Sequence, residues 1–304
     1  MKNLKLNLVS LKEFEKSDVQ AAISDWLGSD LNSLEFPYRC NNNCSFCLED
    51  KTFSENNINE ILDRNVSPDQ NIIICTGEPT LYKELSKLIK KLKNKPCKIS
   101  LATNGRRLKY LAYTKQLEKD VNEFLISLHA PIGKVHDKLT RTPGSFKETV
   151  TGIKVLKSLH AGDKIRINFV VNKENINLMK DMLIFLKKLD VKRLSFDTIV
   201  PINNGDKNYA QLMPPYTKIY ESFVRCSDFL KRNQGYKNFK ITLSGIPPCL
   251  IKDDKIPFIF YDSKEFENLK IKQISCSKCS RKNCCKGIWK AYIKLYGWEE
   301  FNFK

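Results

Sequence analysis

The stretch Cys40-Asn41-Asn42-Asn43-Cys44-Ser45-Phe46-Cys47 sets three cysteines at C-x3-C-x2-C spacing, directly after a short run, Leu31 to Phe36, that reads as a first strand. Gaps this short let one loop wrap a metal centre with soft thiolates, and three thiolates suit three irons of a [4Fe-4S] cube. The fourth iron is then open to an outside ligand. A structural zinc loop normally needs a fourth Cys or His close by, and none lies near this loop. On spacing alone, zinc and three unrelated buried thiols stay open as alternatives.

Working outward, Asn71 to Cys75 reads as a buried second strand that delivers Thr76-Gly77-Glu78-Pro79. Gly77 permits close backbone approach to a ligand, Glu78 supplies an acceptor, and Pro79 fixes the turn into the next helix. That helix, Tyr82 to Leu92, carries Leu85, Leu88, Ile89 and Leu92 on one face. A third strand, Lys98 to Ala102, ends in Thr103-Asn104-Gly105. The fourth, Glu123 to His129, puts Leu125, Ser127 and His129 on one face, and the fifth, Lys164 to Val171, does the same with Arg166 and Asn168. Polar residues facing inward on adjacent strands are costly unless a bound polar group meets them. Gly144-Ser145 enters a helix, with Ser145 and Glu148 at capping-box spacing. A sixth strand, Lys192 to Thr198, leads to a Gly/Asn/Pro-rich stretch ending at Pro215. Six strand–helix units predict an α/β fold, a partial (β/α)6 TIM-type barrel with its site at the C-terminal strand ends.

Together the cysteine loop and Thr76 to Pro79 resemble the radical SAM superfamily over residues 31 to 200. The resemblance implies a [4Fe-4S] cluster on Cys40, Cys44 and Cys47 that donates an electron to S-adenosylmethionine (SAM). The resulting 5′-deoxyadenosyl radical then takes a hydrogen atom from the substrate. It further implies Phe46 near the adenine, Thr76, Gly77, Glu78 and Pro79 at the amino group, and Asn104, Ser127, Arg166 and Asn168 about the rest of SAM. Thr76 departs from the family's Gly-Gly-Glu-Pro pattern. A reductant such as flavodoxin or ferredoxin is the implied partner.

Past Pro248 come Cys249, Cys276, Cys279, Cys284 and Cys285. C-x2-C-x5-C resembles the SPASM or twitch extensions that hold auxiliary Fe–S clusters in radical SAM maturases. Trp289 stands where a further Cys would follow, so one auxiliary cluster on Cys249, Cys276, Cys279 and Cys285 is the expectation. Cys284 as ligand in place of Cys285, or a four-cysteine zinc site, is the alternative. The expected division is a helical cap at 1–30, the barrel at 31–215 and the extension at 216–304. The expected activity is an oxidoreductase-type maturase acting on a peptide or protein side chain. A small-molecule cofactor-biosynthesis enzyme of the molybdopterin-precursor type is the alternative, ahead of tRNA modification or a non-catalytic zinc module.

The formal charge is +18, with lysines spread over most helices, which argues for solvated faces rather than a nucleic-acid footprint. Eleven cysteines clustered at short gaps point to metal rather than disulfides and hence to the cytoplasm. No apolar run in the first thirty residues is long enough for a signal peptide or membrane helix.

Overall fold

The computed structural model describes residues 31–35, 39–49, 71–75, 77–252, 258–259 and 264–301. The expected cap over 1–30, the helical pattern near Ile58 to Leu62, and Thr76 lie outside the described residues. Eight parallel strands run in sequence order: β1 (Leu31–Glu35), β2 (Asn71–Cys75), β3 (Lys98–Thr103), β4 (Glu123–Ser127), β5 (Ile165–Val170), β6 (Arg193–Asp197), β7 (Lys240–Ser244) and β8 (Phe258–Ile259). Each strand pairs with its successor, as right-handed strand–helix–strand units dictate. This is the partial barrel the pattern predicts. The sheet does not stop at the sixth strand, however. Lys240 to Ser244 alternates as strands do and pairs in register with β6, carrying the sheet two strands beyond the Pro215 boundary.

One face of each strand is apolar and is covered by helices. Ile72 and Ile74, Phe124 and Ile126, Ile165, Ile167 and Phe169, and Leu194 and Phe196 are all buried. Against them pack α1 (Leu85–Lys93), α2 (Leu111–Glu118), α3 (Gly133–Thr140), α4 (Ser145–Ser158) and α5 (Met179–Lys188). Two four-residue helices, α6 (Asn204–Lys207) and α7 (Tyr209–Leu212), precede α8 (Tyr216–Arg232), whose Phe223 meets Phe196 edge to face at 6.0 Å. Each such side chain contributes roughly 1.5–3 kcal/mol of burial.

Two local readings are corrected. Ser145 is the first residue of α4 and not its cap, because Gly144 occupies the cap position at φ +81°. The helix start is capped from α3 instead: Asp137 accepts hydrogen bonds from the Gly144 N–H (2.7 Å), the Phe146 N–H (2.8 Å) and the Ser145 hydroxyl (2.8 Å). Glu148, the other half of the expected box, pairs with Arg106 and Lys109. From sequence, Ile288 to Tyr296 reads as one final helix; instead the C-terminal segment forms a small knob. Lys270–Ile271 (β9) pairs antiparallel with Ile288–Trp289 (β10), and α9 (Lys290–Tyr296) follows.

Candidate active site

The cysteine loop is shaped by bonds from four elements. Gly77 sits at φ +57°, so close to the loop's entry that an added Cβ would lie 2.5 Å from the Arg39 carbonyl oxygen. The next amide, Glu78 N–H, donates to that same oxygen at 2.7 Å. Helix α3 then receives the loop: its last carbonyls, which have no partner within the helix, accept from Ser45 N–H (Leu139, 2.9 Å) and Asn43 N–H (Thr140, 3.0 Å). From the turn after β3, Arg106 donates to Asn42 Oδ1 at 2.9 Å and to the Asn41 carbonyl. From the segment after β6, Asn204 reaches the Cys44 carbonyl at 3.1 Å, Asn208 the Ser45 carbonyl at 2.9 Å, and Asn203 the Leu48 carbonyl at 2.8 Å. Gly205 N–H donates to the Cys47 carbonyl at 3.2 Å. This last set was invisible in the sequence, where the asparagines read as loop composition.

Glu78 is buried, and its carboxylate braces two strand ends. One oxygen accepts from Thr80 N–H (3.1 Å), the Thr80 hydroxyl and the Thr103 hydroxyl (2.6 Å), and the other from Asn104 N–H (2.6 Å). Burial pushes its pKa up, while these donors pull the other way. Asn104 donates through its side chain to Asn41 Oδ1 at 2.7 Å and lies 4.0 Å from Cys40 Sγ, which also accepts from Asn42 N–H at 3.4 Å. Phe46 is buried edge to face against His129, ring centroids 4.7 Å apart. His129 in turn stacks on His136 at 5.7 Å. Both imidazoles accept backbone N–H bonds at Nδ1, from Val170 and His129 respectively, which fixes the neutral tautomer. Burial holds His129 well below the ordinary value and His136 down at about 4. His136 is a buried residue of α3.

Inside the barrel a polar belt crosses four strands. Arg166 on β5 and Arg193 on β6 both bond Glu123 on β4, at 2.6 and 2.8 Å. Burial lowers the Arg166 pKa to about 10, and Glu123 is its salt-bridge partner across the sheet. Towards the C-terminal ends, Ser127 and Asn168 sit side by side in register. Asn168 Oδ1 is buried without a hydrogen-bond partner among the described residues. On β6 and β7, which the sequence reading passed over, Ser195 and Ser244 donate to buried Asp197, and Thr242 donates to Ser195. Their alternation in Arg193-Leu-Ser-Phe-Asp197 and Lys240-Ile-Thr-Leu-Ser244 was the available signal.

Among the described residues no three His, Cys, Asp or Glu side chains form a ready site for a single metal ion. The thiols nevertheless act on one another. Burial pushes Cys40 up to about 11, with Cys47 adding to it, and raises Cys44 further with help from Cys47 and Cys40. Three thiols on one loop, with an amide N–H aimed at one sulfur, are a donor set that fits a [4Fe-4S] cube, and the unsatisfied Asn168 oxygen on the same barrel face suits a polar cofactor. In the knob, Cys249 is raised to about 12 by burial and then by Cys285, Cys279 and Cys276. Amide N–H groups of Arg281 and Gly287 point at the sulfurs of Cys279 and Cys285, both at 3.4 Å. Cys284 Sγ donates to the Arg281 carbonyl. Cys226 is a core residue, and Cys97 donates to the Leu92 carbonyl.

A parallel barrel with a three-cysteine loop at its mouth defines a class of cluster enzymes. The Radical SAM superfamily model matches residues 34–186, and the chain belongs to that family. A probable GTP 3′,8-cyclase of Methanocaldococcus jannaschii is 26% identical over 84% of this chain and 96% of its own length. An AdoMet-dependent heme synthase of Oleidesulfovibrio alaskensis is 26% identical over 47% of this chain and 36% of its own. Among solved structures, Streptococcus suis SuiB bound to S-adenosylmethionine has a TM-score of 0.64 at 16% identity, covering 86% of this chain and 73% of SuiB. The enzyme anSMEcpe with bound AdoMet and Cp18Cys peptide has a TM-score of 0.60 at 18% identity, covering 89% and 94%. Among the described residues no helix is long and apolar enough to cross a membrane.

Proposed function

We propose that the chain is a small-molecule radical SAM enzyme acting on a nucleotide-like substrate, as its GTP 3′,8-cyclase relatives do by name, rather than a peptide maturase. The observation that carries this is the cyclase kinship over 84% of this chain and 96% of that relative. The likeness to SuiB and anSMEcpe is one of fold. The polar inner face is in keeping: Asn168 Oδ1 is buried without a partner among the described residues and suits a polar guest.

In this reading Cys40, Cys44 and Cys47 hold the family's [4Fe-4S] cluster, and Cys249, Cys276, Cys279 and Cys285 hold an auxiliary one. Loaded with SAM and reduced by one electron, the family's cluster supplies a 5′-deoxyadenosyl radical for hydrogen abstraction. The chain's residues bind and orient. Gly77 brings backbone to the loop entry, Glu78 locks the ends of β2 and β3, and Asn104 sets the polarity beside Cys40. Ser127 and Asn168 offer hydrogen bonds to SAM, and Phe46 keeps water from the loop's inner side.

The test is anaerobic reconstitution followed by SAM, dithionite and GTP deuterated on the ribose. Deuterium appearing in 5′-deoxyadenosine, with formation at least ~10-fold above the substrate-free rate, supports the reading. Stimulation by a peptide panel and none by nucleotides would return the maturase. About eight irons per chain, falling to about four in the Cys40/Cys44/Cys47 triple alanine variant, is the expected cluster count.

A further inference from the structure

Residues 270 to 298 carry eight basic side chains, Lys270, Lys272, Lys278, Arg281, Lys282, Lys286, Lys290 and Lys294, and no Asp or Glu. The chain as a whole is more than one-tenth acidic. The nearest carboxylates on the N-terminal side, Asp253, Asp254, Asp262, Glu265 and Glu267, all precede the segment. This run departs from the even spread of lysine elsewhere. It runs through the knob cysteines, with Lys278, Arg281, Lys282 and Lys286 next to or between Cys276, Cys279, Cys284 and Cys285, and the Arg281 N–H on Cys279 Sγ at 3.4 Å. The segment and its entry carry exposed aliphatics: Ile274 is 94% exposed, with Ile271 at 41% and Leu269 at 37%. Exposed aliphatics grouped within a polar, charged segment mark interaction sites.

We infer that this knob is the docking surface for a small acidic one-electron carrier of the flavodoxin or ferredoxin class. A basic segment with exposed aliphatics is complementary to an acidic surface around a redox group, and steering by opposite charge speeds encounter. A second copy of this chain is excluded by like charge, because each copy brings the same basic face and a net +18. A nucleic acid is a poorer fit. The exposed apolar residues are aliphatic, the basic ones are lysine but for Arg281, and the neighbouring Trp289 and Tyr292 are buried and unable to stack on bases. A membrane surface is disfavoured too, since Ile271 and Ile274 sit on a two-residue strand and a single 3-10 turn rather than on an amphipathic helix. The inference rests on the family assignment and is independent of the substrate proposed above.

The probe is a purified oxidised flavodoxin, titrated calorimetrically into the reconstituted protein at low and physiological salt without SAM or substrate. Lys278→Glu with Lys282→Glu, both exposed, weakens binding ~10-fold or more and flattens its salt dependence. Ile274→Asp weakens it several-fold at every salt concentration. The control carries the same charge change on α1, Lys90→Glu with Lys91→Glu, also exposed, and leaves affinity within about twofold. Equal effects of knob and control pairs would overturn the inference. So would absence of binding at low salt, or displacement of flavodoxin by bulk tRNA or phosphatidylserine vesicles at lower concentration than by a second acidic carrier. All substituted side chains are solvent-facing, and an unchanged melting temperature verifies the fold.

Discussion

The two cysteine regions are built on opposite principles. The loop at Cys40 to Cys47 owes its shape to others: β2's turn, β3's turn, the end of α3 and the asparagines after β6 each hold one side of it. The knob holds itself, with Cys279 N–H on the Cys276 carbonyl, Cys285 N–H on the Arg281 carbonyl, and amides two residues on aimed at the sulfurs. A site fixed by the whole barrel is rigid in proportion to the barrel's stability. A site fixed by its own turns can fail without disturbing the rest.

Removing a ligand separates the two most sharply. Cys44→Ala abolishes SAM cleavage under dithionite, whereas Cys279→Ala leaves slow, uncoupled 5′-deoxyadenosine formation. Cleavage surviving in the first variant would break the comparison and the assignment with it.

Acid reaches only the barrel side, because the chain's three histidines all lie before the knob. His136 is held at about 4 against an ordinary 6.5, so the unfolded chain binds the proton first as pH falls. The stability it confers is complete above pH 6.5 and is lost progressively towards pH 4, up to roughly 3 kcal/mol. His129 acts in the same direction. Thermal midpoints of iron-free protein across this window record the loss, and His136→Gln flattens it.

Two glycines give a matched pair. Gly77→Ala forces a Cβ into the Arg39 carbonyl, and Gly287→Ala does the same at 2.8 Å from the Ile271 carbonyl, at φ +96°. Each costs about 2 kcal/mol locally. Iron analysis then shows loss from the loop in the first and from the knob alone in the second. The smallest effect is Asn208→Ala, about 1 kcal/mol for the lost Ser45 and Asn204 carbonyl contacts, read as several-fold faster chelator removal of loop iron with knob iron unchanged.

Strand positions were legible because the helix-facing residues are apolar and the inward ones polar, a period of two that survives in short stretches such as Glu123 to Ser127. The cysteine sets were legible from spacing. What surrounds them was not. Neither the Glu123 carboxylate beside Arg166 across the sheet nor the Thr80, Thr103 and Asn104 donors on Glu78 could be read from the sequence. Pairings between distant segments leave no periodic trace. In a chain rich in Asn, the clamp residues Asn203, Asn204 and Asn208 carried no mark of their role.

That clamp dates the loop within the life of the chain. Ser45 is bonded to a side chain 163 positions further on, and Cys44 to one 160 further on. A nascent chain emerging from the ribosome presents Cys40, Cys44 and Cys47 early, yet cannot give them their final arrangement until α6 and α7 have followed β6 into place. Iron delivered before then meets three thiols on an unformed loop. Maturation of the loop therefore comes late in assembly, and a cell that loads it must wait for synthesis through residue 208.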